Sequence, residues 1–372
     1  TNKNAGTGLG YTIANMALSG ADAANYYLSG NTSSLSGTDG IITPATLKLT
    51  TSNVSKTYDG TTNAMGSAVA TQSTQLFGSD TVSGGTFAFT DKNAGTGNKV
   101  VQVSGVTLND GNGGGNYIVE YVNNTTSTIH KADLAIQAVT DTKTYDGTVV
   151  SGKVLEVNNA SGSTDVVTAS QEFASKNALG TSGSTLQVKS GYTVKDTGGA
   201  DMSGNYNIST TTAAGTIDKK NVTLDSISAD HKTYDGSDQA SITSGAISTG
   251  VGSETLSVSG LGTFADKHVA SGKTVTVSDV ATLSKTDGTG SWANYNLTTT
   301  GTLTTTANIS ARTLILAAAT DSKTYDGTTS ALGTAMATQG TQLFGTDTVS
   351  GGSFAFTDKN AGIGNKVVQV SG

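Results

Sequence analysis

"KTYDGTT", Lys56–Thr62, decides the architecture, because its first five residues return at Lys143, Lys232 and Lys323. A catalytic motif normally occurs once per chain. A motif written four times marks a unit that is itself repeated. The tyrosines stand at 58, 145, 234 and 325, at spacings of 87, 89 and 91 residues. Other landmarks keep step with them. "NKNAGTG" from Asn2 returns as "DKNAGTG" from Asp91, "SKNALGT" from Ser175, "DKHVASG" from Asp266 and "DKNAGIG" from Asp358. Asn-Tyr recurs at Asn25-Tyr26, Asn116-Tyr117, Asn205-Tyr206 and Asn294-Tyr295. An isoleucine two residues before Pro, Lys or Ala closes each unit, at Ile42, Ile129, Ile217 and Ile309.

A period of roughly 90 residues exceeds that of solenoids, whose single repeats cannot bury a core alone. It has the size of a small independent domain. The units run 45–130, 131–218 and 219–310, with the later half of a repeat at 1–44 and the early half of one at 311–372. The joining segments "ITPATLKL", "IHKADLAI", "IDKKNVTL" and "ISARTLIL" contain no Gly/Ser tether. The last strand of one unit is therefore expected to run almost directly into the first strand of the next, giving an extended rod. A second period overlies the first. Ser55–Gly105 matches Ser322–Gly372 at an offset of 267, differing only at 63, 65, 67, 69, 73, 79, 86 and 96. Three units form a longer cassette that has been duplicated.

Composition bounds the function. The 372 residues include 48 glycines, one proline, no cysteine and only 13% charged side chains. Disulfides and thiolate metal sites are excluded. A net charge of −7 and singly scattered Lys and Arg argue against nucleic acid, whose binding releases counterions from the phosphates, and against an anionic membrane surface. No apolar run approaches the ~20 residues that span a bilayer. Thr1–Gly10 lacks a signal-peptide pattern, and the chain is expected to begin within a longer protein. Period-2 runs such as Val101, Val103, then Val106, Leu108, broken by Gly and Asn-Gly clusters, read as half-buried strands. The expected fold is mainly all-β: small antiparallel β-sandwich or β-grasp-like domains, each with one short helix. "GADAANYYLSG" from Gly20 and "TQSTQLFGSD" from Thr71 are the candidates for brief helical turns.

Tyr-Asp-Gly reads as turn chemistry. Asp59-Gly60, Asp146-Gly147, Asp235-Gly236 and Asp326-Gly327 suit a type I′ hairpin turn, in which glycine takes positive φ without a Cβ penalty. Tyr58, Tyr145, Tyr234 and Tyr325 can bury their rings and leave the hydroxyl to find a partner. Lys56, Lys143, Lys232 and Lys323 are placed to cover that ring or to pair with a nearby Asp. Asp-Lys-Asn-Ala-Gly is read as a second turn between "GTFAFTD" and "KVVQVSG". A motif present in every unit most simply specifies the fold of every unit, so these sixteen residues are taken as structural rather than as a ligand site.

"KTYDGTT", "FTDKNAGTG", "VQVSGVTL", "GADAANYYLSG" and "GIITPATL" together resemble the YDG/MBG-type repeats of very large bacterial surface exoproteins, including filamentous-haemagglutinin-like adhesins exported by two-partner secretion. The resemblance covers the whole chain. It implies a secreted or cell-surface array of β-domains that holds an adhesive tip away from the cell, for attachment, aggregation or biofilm formation. The implied partners are neighbouring repeats of the same chain, and polysaccharide or host surface through regions outside these residues. The third unit departs from the pattern at "DKHVASG" and at "TDGTGSW", which carries the lone Trp292.

Other chemistry finds little support. His130, His231 and His268 occupy different repeat positions at no chelating spacing. Glu120, Glu156, Glu172 and Glu254 stand at non-equivalent places, against a carboxylate pair for glycoside cleavage or a Glu-assisted Lys–Asn crosslink. No enzyme and no cofactor are expected. "LNDGNGGGNY" from Leu108 faintly echoes Gly/Asp-rich calcium loops without their carboxylate density. Asn-x-Ser/Thr sequons at Asn31, Asn53, Asn124, Asn207, Asn221, Asn296 and Asn308 arise readily from this composition. The contest is between a spacer and repeats that themselves bind carbohydrate multivalently, and one tryptophan with motif-bound tyrosines favours the spacer. The two partial repeats would expose unpaired strand edges. Either the chain is a window on a longer filament, or the late half on one molecule completes the early half on the next, head to tail.

Overall fold

The computed structural model describes residues 2–31, 33–71, 76–338 and 343–372. Strands dominate, and no α-helix occurs among the described residues. The chain forms two compact units that interleave in sequence. The first holds residues 1–141, 150–174 and 185–215; the second holds 142–149, 175–184 and 216–372. The second repeat thus contributes its Lys-Thr-Tyr-Asp-Gly turn and its Lys-Asn-Ala loop to the unit that contains the third repeat.

In the first unit, repeat 45–130 is built from two sheets. Ala45–Thr51 pairs antiparallel with Ala68–Ala70 and parallel with Tyr117–Tyr121. Ser55–Thr57 pairs parallel with Asn124–His130, which pairs antiparallel with Gly95–Asn109, itself antiparallel to Thr81–Phe89. The alternation predicted from sequence is what fills the interior. Leu47 and Leu49, two apart on one strand face, are fully buried and pack with Tyr117 against Val82, Val106 and Leu108 of the other sheet. The core therefore lies between sheets, and the sandwich, not the β-grasp, describes this repeat. Two strand pairs run parallel where antiparallel sheets were expected. The cause is that the first and last strands of the repeat lie side by side. Both break at the same level to pass from one sheet to the other, and polar side chains satisfy the break. Asn124 Nδ2 donates to Thr51 O (3.1 Å), and Ser127 Oγ accepts Val54 N–H (3.0 Å). Asn124, read from sequence as a sequon, has this structural task. Also in this unit, Ala132–Gln137 pairs parallel with Tyr206–Thr211, and Gly6–Ile13 pairs antiparallel with Leu35–Ile42.

In the second unit, repeat 219–310 repeats the plan. Lys220–Val222 pairs parallel with Tyr295–Leu297, and Lys232–Thr233 parallel with Ile309–Ser310. Its long strand Thr255–Phe264 carries an addition, pairing at its start with Ser284–Asp287 from the divergent insertion. Trp292 locks that insertion, being buried and donating Nε1–H to Ser257 O and Thr286 O, both at 3.1 Å. Residues 311–372 form two hairpin-like pairs, Leu316–Ala318 with Ala335–Ala337 and Ser353–Phe356 with Val368–Ser371.

The expected helical turn near Ala21 is a single 3-10 turn, Ala23–Asn25, matched by Ser203–Asn205 and Trp292–Asn294. Each ends on the asparagine of Asn-Tyr. The other expected turn falls largely on residues 72–75, outside the described residues.

Candidate functional site: the joint between successive repeats

The Lys-Thr-Tyr-Asp-Gly segment is a corner, not a hairpin. Ser55–Thr57 belongs to one edge of the four-stranded sheet, and Asn63 bridges to Ala88 at the other edge, so the residues between cross the end of the sheet. Glycine has φ of +76°, +79°, +80° and +80° at 60, 147, 236 and 327, while none of the preceding aspartates is in the positive-φ region. That excludes the expected type I′ turn, which needs both central residues there. The aspartate instead folds back on the chain. Asp59 Oδ1 accepts Thr61 N–H and Thr61 Oγ1–H, each at 2.9 Å, and the same pattern recurs at Asp146, Asp235 and Asp326. Lys56 Nζ ties the corner down, donating to Asp59 Oδ1 (2.7 Å), Thr61 O (2.9 Å) and Asn63 O (3.0 Å). It stands 5.7 Å from the Phe89 ring centre, not over the tyrosine of its own motif; Lys232 and Lys323 stand likewise over Phe264 and Phe356. Burial raises the Asp59, Asp146 and Asp235 carboxyls, but the lysine and the backbone N–H outweigh it and hold all three low, Asp235 at about 2.

With Lys and Asp facing each other, the tyrosine points out of the repeat that carries it. Tyr58 N–H donates to His130 O (2.8 Å), at the end of the repeat's last strand, and its ring projects toward the next repeat. There Tyr58 and Tyr206 meet edge-to-face, centroids 5.4 Å apart at 77°, and both hydroxyls donate to Asp165 Oδ2, at 2.9 and 2.7 Å. Tyr145 repeats this geometry with Tyr295 (5.3 Å, 78°), their hydroxyls donating to Glu254 at 2.9 and 2.6 Å. Tyr234 meets the Phe344 ring at 5.8 Å and donates to Asp347 at 3.4 Å. Tyr58 and Tyr145 are fully buried by this contact. Burial first, then the adjacent carboxylate, pushes the Tyr58, Tyr145 and Tyr295 hydroxyls above their ordinary range. Burial also raises Glu254, yet hydrogen bonds from Tyr295, Tyr145 and Lys176 prevail and keep it ionised below the usual carboxylate value.

The glycine beside each tyrosine makes the close approach possible. A Cβ on Gly147 would sit 2.7 Å from Val251 Cγ1, and one on Gly236 would sit 2.6 Å from Phe344 Cβ.

A second contact completes the joint. Asn205 Oδ1 accepts Ala94 N–H (2.8 Å) and its Nδ2 donates to Asn93 Oδ1 (3.1 Å). Asn294 does the same for Ala178 (2.9 Å) and Asn177 (3.2 Å), and Asn116 for Ala5 (2.7 Å) and Asn4 (3.3 Å). The Lys-Asn-Ala loop of one repeat is thus gripped by the Asn-Tyr of the next. Ion pairs Lys92–Asp196 (2.9 Å) and Lys176–Glu254 (3.4 Å) flank two of these grips.

The structure therefore unites three sequence landmarks, Tyr-Asp-Gly, Lys-Asn-Ala and Asn-Tyr, in one joint. Sequence reading missed the fourth member, the carboxylate. Glu254 has no counterpart among the other glutamates, but it occupies the place of Asp80, Asp165 and Asp347. The available signal was the glycine just before it, at 78, 162, 252 and 345, each at positive φ. Among the described residues no three His, Asp or Glu side chains cluster to hold a metal ion. In the loop likened to calcium sites, Asp110 is buried and accepts backbone N–H from Asn112 (2.8 Å), Gly114 (2.9 Å) and Asn116 (3.0 Å).

A family comparison matches the YDG domain to residues 43–127, 130–213, 218–303 and 310–372. The chain belongs to the YDG domain family. A search of curated proteins found no match. The four YDG domain matches stand in tandem, and the Tyr-Asp-Gly residues of the first three, at Tyr58, Tyr145 and Tyr234, make the joints described above.

Proposed function

We propose that these YDG domains are non-catalytic spacer domains of a large bacterial exoprotein, exported to the cell surface, where they hold an adhesive region away from the cell for attachment or aggregation. One observation supports this reading above others. The most regular side chains of the chain are buried against neighbouring repeats rather than offered to solvent, Tyr58 and Tyr145 against the following repeat and Asn205 and Asn294 against the preceding one. A repeated motif that a ligand could reach would argue for binding; one buried in joints argues for fixing each domain on its neighbour. Small-angle scattering on the purified chain tests the proposal. A spacer built from three full repeats should exceed ~100 Å in maximum dimension, whereas a radius of gyration near ~21 Å, that of a compact chain of this length, overturns it.

Carbohydrate binding by the repeats is the second reading. A groove of about 430 Å³ beside Ala64–Ala68, floored by Gly84-Gly85 and bordered by Phe87, recurs at about 520 Å³ around Gly351-Gly352 and Phe354. Its lining is mostly Ala, Gly and Ser. Titration with soluble polysaccharides decides: binding that disappears in Phe87→Ala favours this reading over the spacer.

A further inference from the structure

Repeats 45–130 and 219–310 treat the same strand edge in opposite ways. In repeat 219–310, Gln239–Thr243 pairs antiparallel with the outer edge of Thr255–Phe264, from Gln239 opposite Thr263 to Thr243 opposite Ser259. In repeat 45–130 the equivalent edge belongs to Thr81–Phe89. There the pairing starts at the same place, with Thr62 O accepting Phe89 N–H (2.7 Å) and Asn63 opposite Ala88, and goes no further. The edge from Phe87 back to Ser83 has no strand partner among the described residues. An exchange of sizes accounts for this. Ile242 is buried beside Gly262, whose Cβ would come within 2.9 Å of Ile242 Cδ1. Repeat 45–130 has Phe87 in place of that glycine and Gly66 in place of that isoleucine, and a Cβ on Gly66 would lie 2.8 Å from Phe87 Cδ1. The ring takes the room of the inward side chain, and residues 64–68 stand off across the groove described above. Residues 331–335 stand off in the same way, with Gly333 against Phe354, after Ser330 opposite Ala355. Neither opening comes from an absent neighbour. Repeat 45–130 has its closing strands and its docked Tyr58, and the groove at Gly351-Gly352 lies in a repeat whose Phe344 carries Tyr234 from the repeat before.

The exposed side chains change with the pairing. On the paired strand Gln239, Ser241 and Thr243 face solvent. Where Ser241 stands, the two open copies carry Met65, 99% exposed, and Leu332, 93% exposed. Farther along, Val69 and Met336 are exposed as well. Positions 65 and 69 are among the few that differ between the duplicated copies, yet both stay apolar in both copies. Contact with solvent alone gives no reason to keep them so. From the open edge and its apolar rim we infer that each groove is a docking site for an extended, uncharged polypeptide strand of a partner, with apolar side chains at alternate positions. The unpaired edge supplies main-chain hydrogen bonds, and the rim supplies contacts for every second side chain. The pairing of Gln239–Thr243 is the internal precedent, and the docked strand continues the pairing that Asn63 begins. Gly84-Gly85 and Gly351-Gly352, all at positive φ, put no side chain in the way of another backbone. No charged side chain lines either groove among the described residues, so an uncharged segment fits and a charged one does not. The inference holds or fails independently of the spacer role.

Methionine methyl NMR on the whole chain is the test, with the blocked peptide Ac-Ser-Val-Ser-Val-Ser-Val-NH2 as probe. Of the four methionines, Met65 and Met336 adjoin the grooves, whereas Met16 and Met202 do not. Titration should shift the Met65 and Met336 signals and leave the other two in place. The same peptide methylated at every amide nitrogen cannot donate to a strand edge and should shift none. Leu332→Ser removes an exposed side chain and should raise the midpoint at Met336 by about 10-fold, the worth of one buried apolar side chain. The midpoint at Met65 should stay where it was. A Met65 signal that does not move, a methylated peptide that binds as well as the unmethylated one, or an unchanged Met336 midpoint in Leu332→Ser would each overturn the inference. So would shifts of Met65 with soluble polysaccharide and none with peptide, which assign the groove to carbohydrate.

Discussion

Tyr145 and Glu254 stand 109 positions apart in sequence, yet the tyrosine hydroxyl lies 2.9 Å from the glutamate carboxylate, which at the same time accepts Tyr295. Glu254 and Asp165 thus each collect two tyrosines, one from their own domain and one from the domain before.

Removing only the hydroxyl isolates that bond. Tyr145→Phe keeps the ring on Tyr295 and deprives a partly buried carboxylate of one donor. The expected loss is about 1.5–3 kcal/mol, the range for hydrogen bonds to charged groups. Tyr325→Phe, at an exposed position, should change stability by less than about 0.5 kcal/mol. Denaturant melts of the two variants make the comparison, and equal effects would mean that the joint contributes nothing.

Gly147 and Gly327 share a positive φ but differ in surroundings. Valine at 147 would be strained and would also strike Val251, whereas nothing lies within 4 Å of a Cβ at 327. Gly147→Val should lower stability by more than ~1 kcal/mol, and by more than Gly327→Val does. Thermal melts that shift equally would place the whole cost in backbone strain and none in the joint.

Asn294 holds the buried N–H of Ala178 and the side chain of Asn177. Leucine of similar size fills the space but leaves that N–H without a partner, at a cost of about 1–3 kcal/mol. Hydrogen–deuterium exchange offers a local readout. The amide of Ala178 should lose protection in Asn294→Leu while amides of the neighbouring sheet keep theirs.

Acid should loosen the corners before the cores. Asp235 is held at about 2 in the folded chain against an ordinary value of 3.8. Between those values the unfolded state binds more protons than the folded state, so stability is present above the higher value and is lost as pH falls through the lower. Melting temperature should therefore decline as pH drops from about 4 to about 2, and Asp235→Asn should flatten that decline. An identical pH profile in the variant would show that this carboxylate does not set it.

Much of this organisation was legible in the residues. The four tyrosines gave the period, and the alternating valines from Val101 gave the strands. The pairing direction was hidden, because alternation has the same period in parallel and antiparallel sheets, and Lys56 meets Ile129 only through tertiary structure. The corner was misjudged because Asp-Gly suits several turns; what separates them is that Asp59 turns its carboxylate to Thr61 and Lys56 rather than entering positive φ itself. The socket carboxylate escaped notice because its offset from the preceding glycine varies, as Gly162/Asp165 against Gly252/Glu254, and because glutamate replaces aspartate once.

The parallel pairing of first and last strands has a mechanical consequence. Ala45–Thr51 and Tyr117–Tyr121 point the same way, as do Ser55–Thr57 and Asn124–His130. The backbone therefore enters the domain at one pole and leaves it at the other. Tension applied through the chain slides these strands lengthwise past each other and loads their row of evenly spaced hydrogen bonds together, instead of peeling them one at a time. Rupture under load is set by the unfolding barrier rather than by equilibrium stability. A domain wired in this way withstands pulling even when its folding free energy is modest.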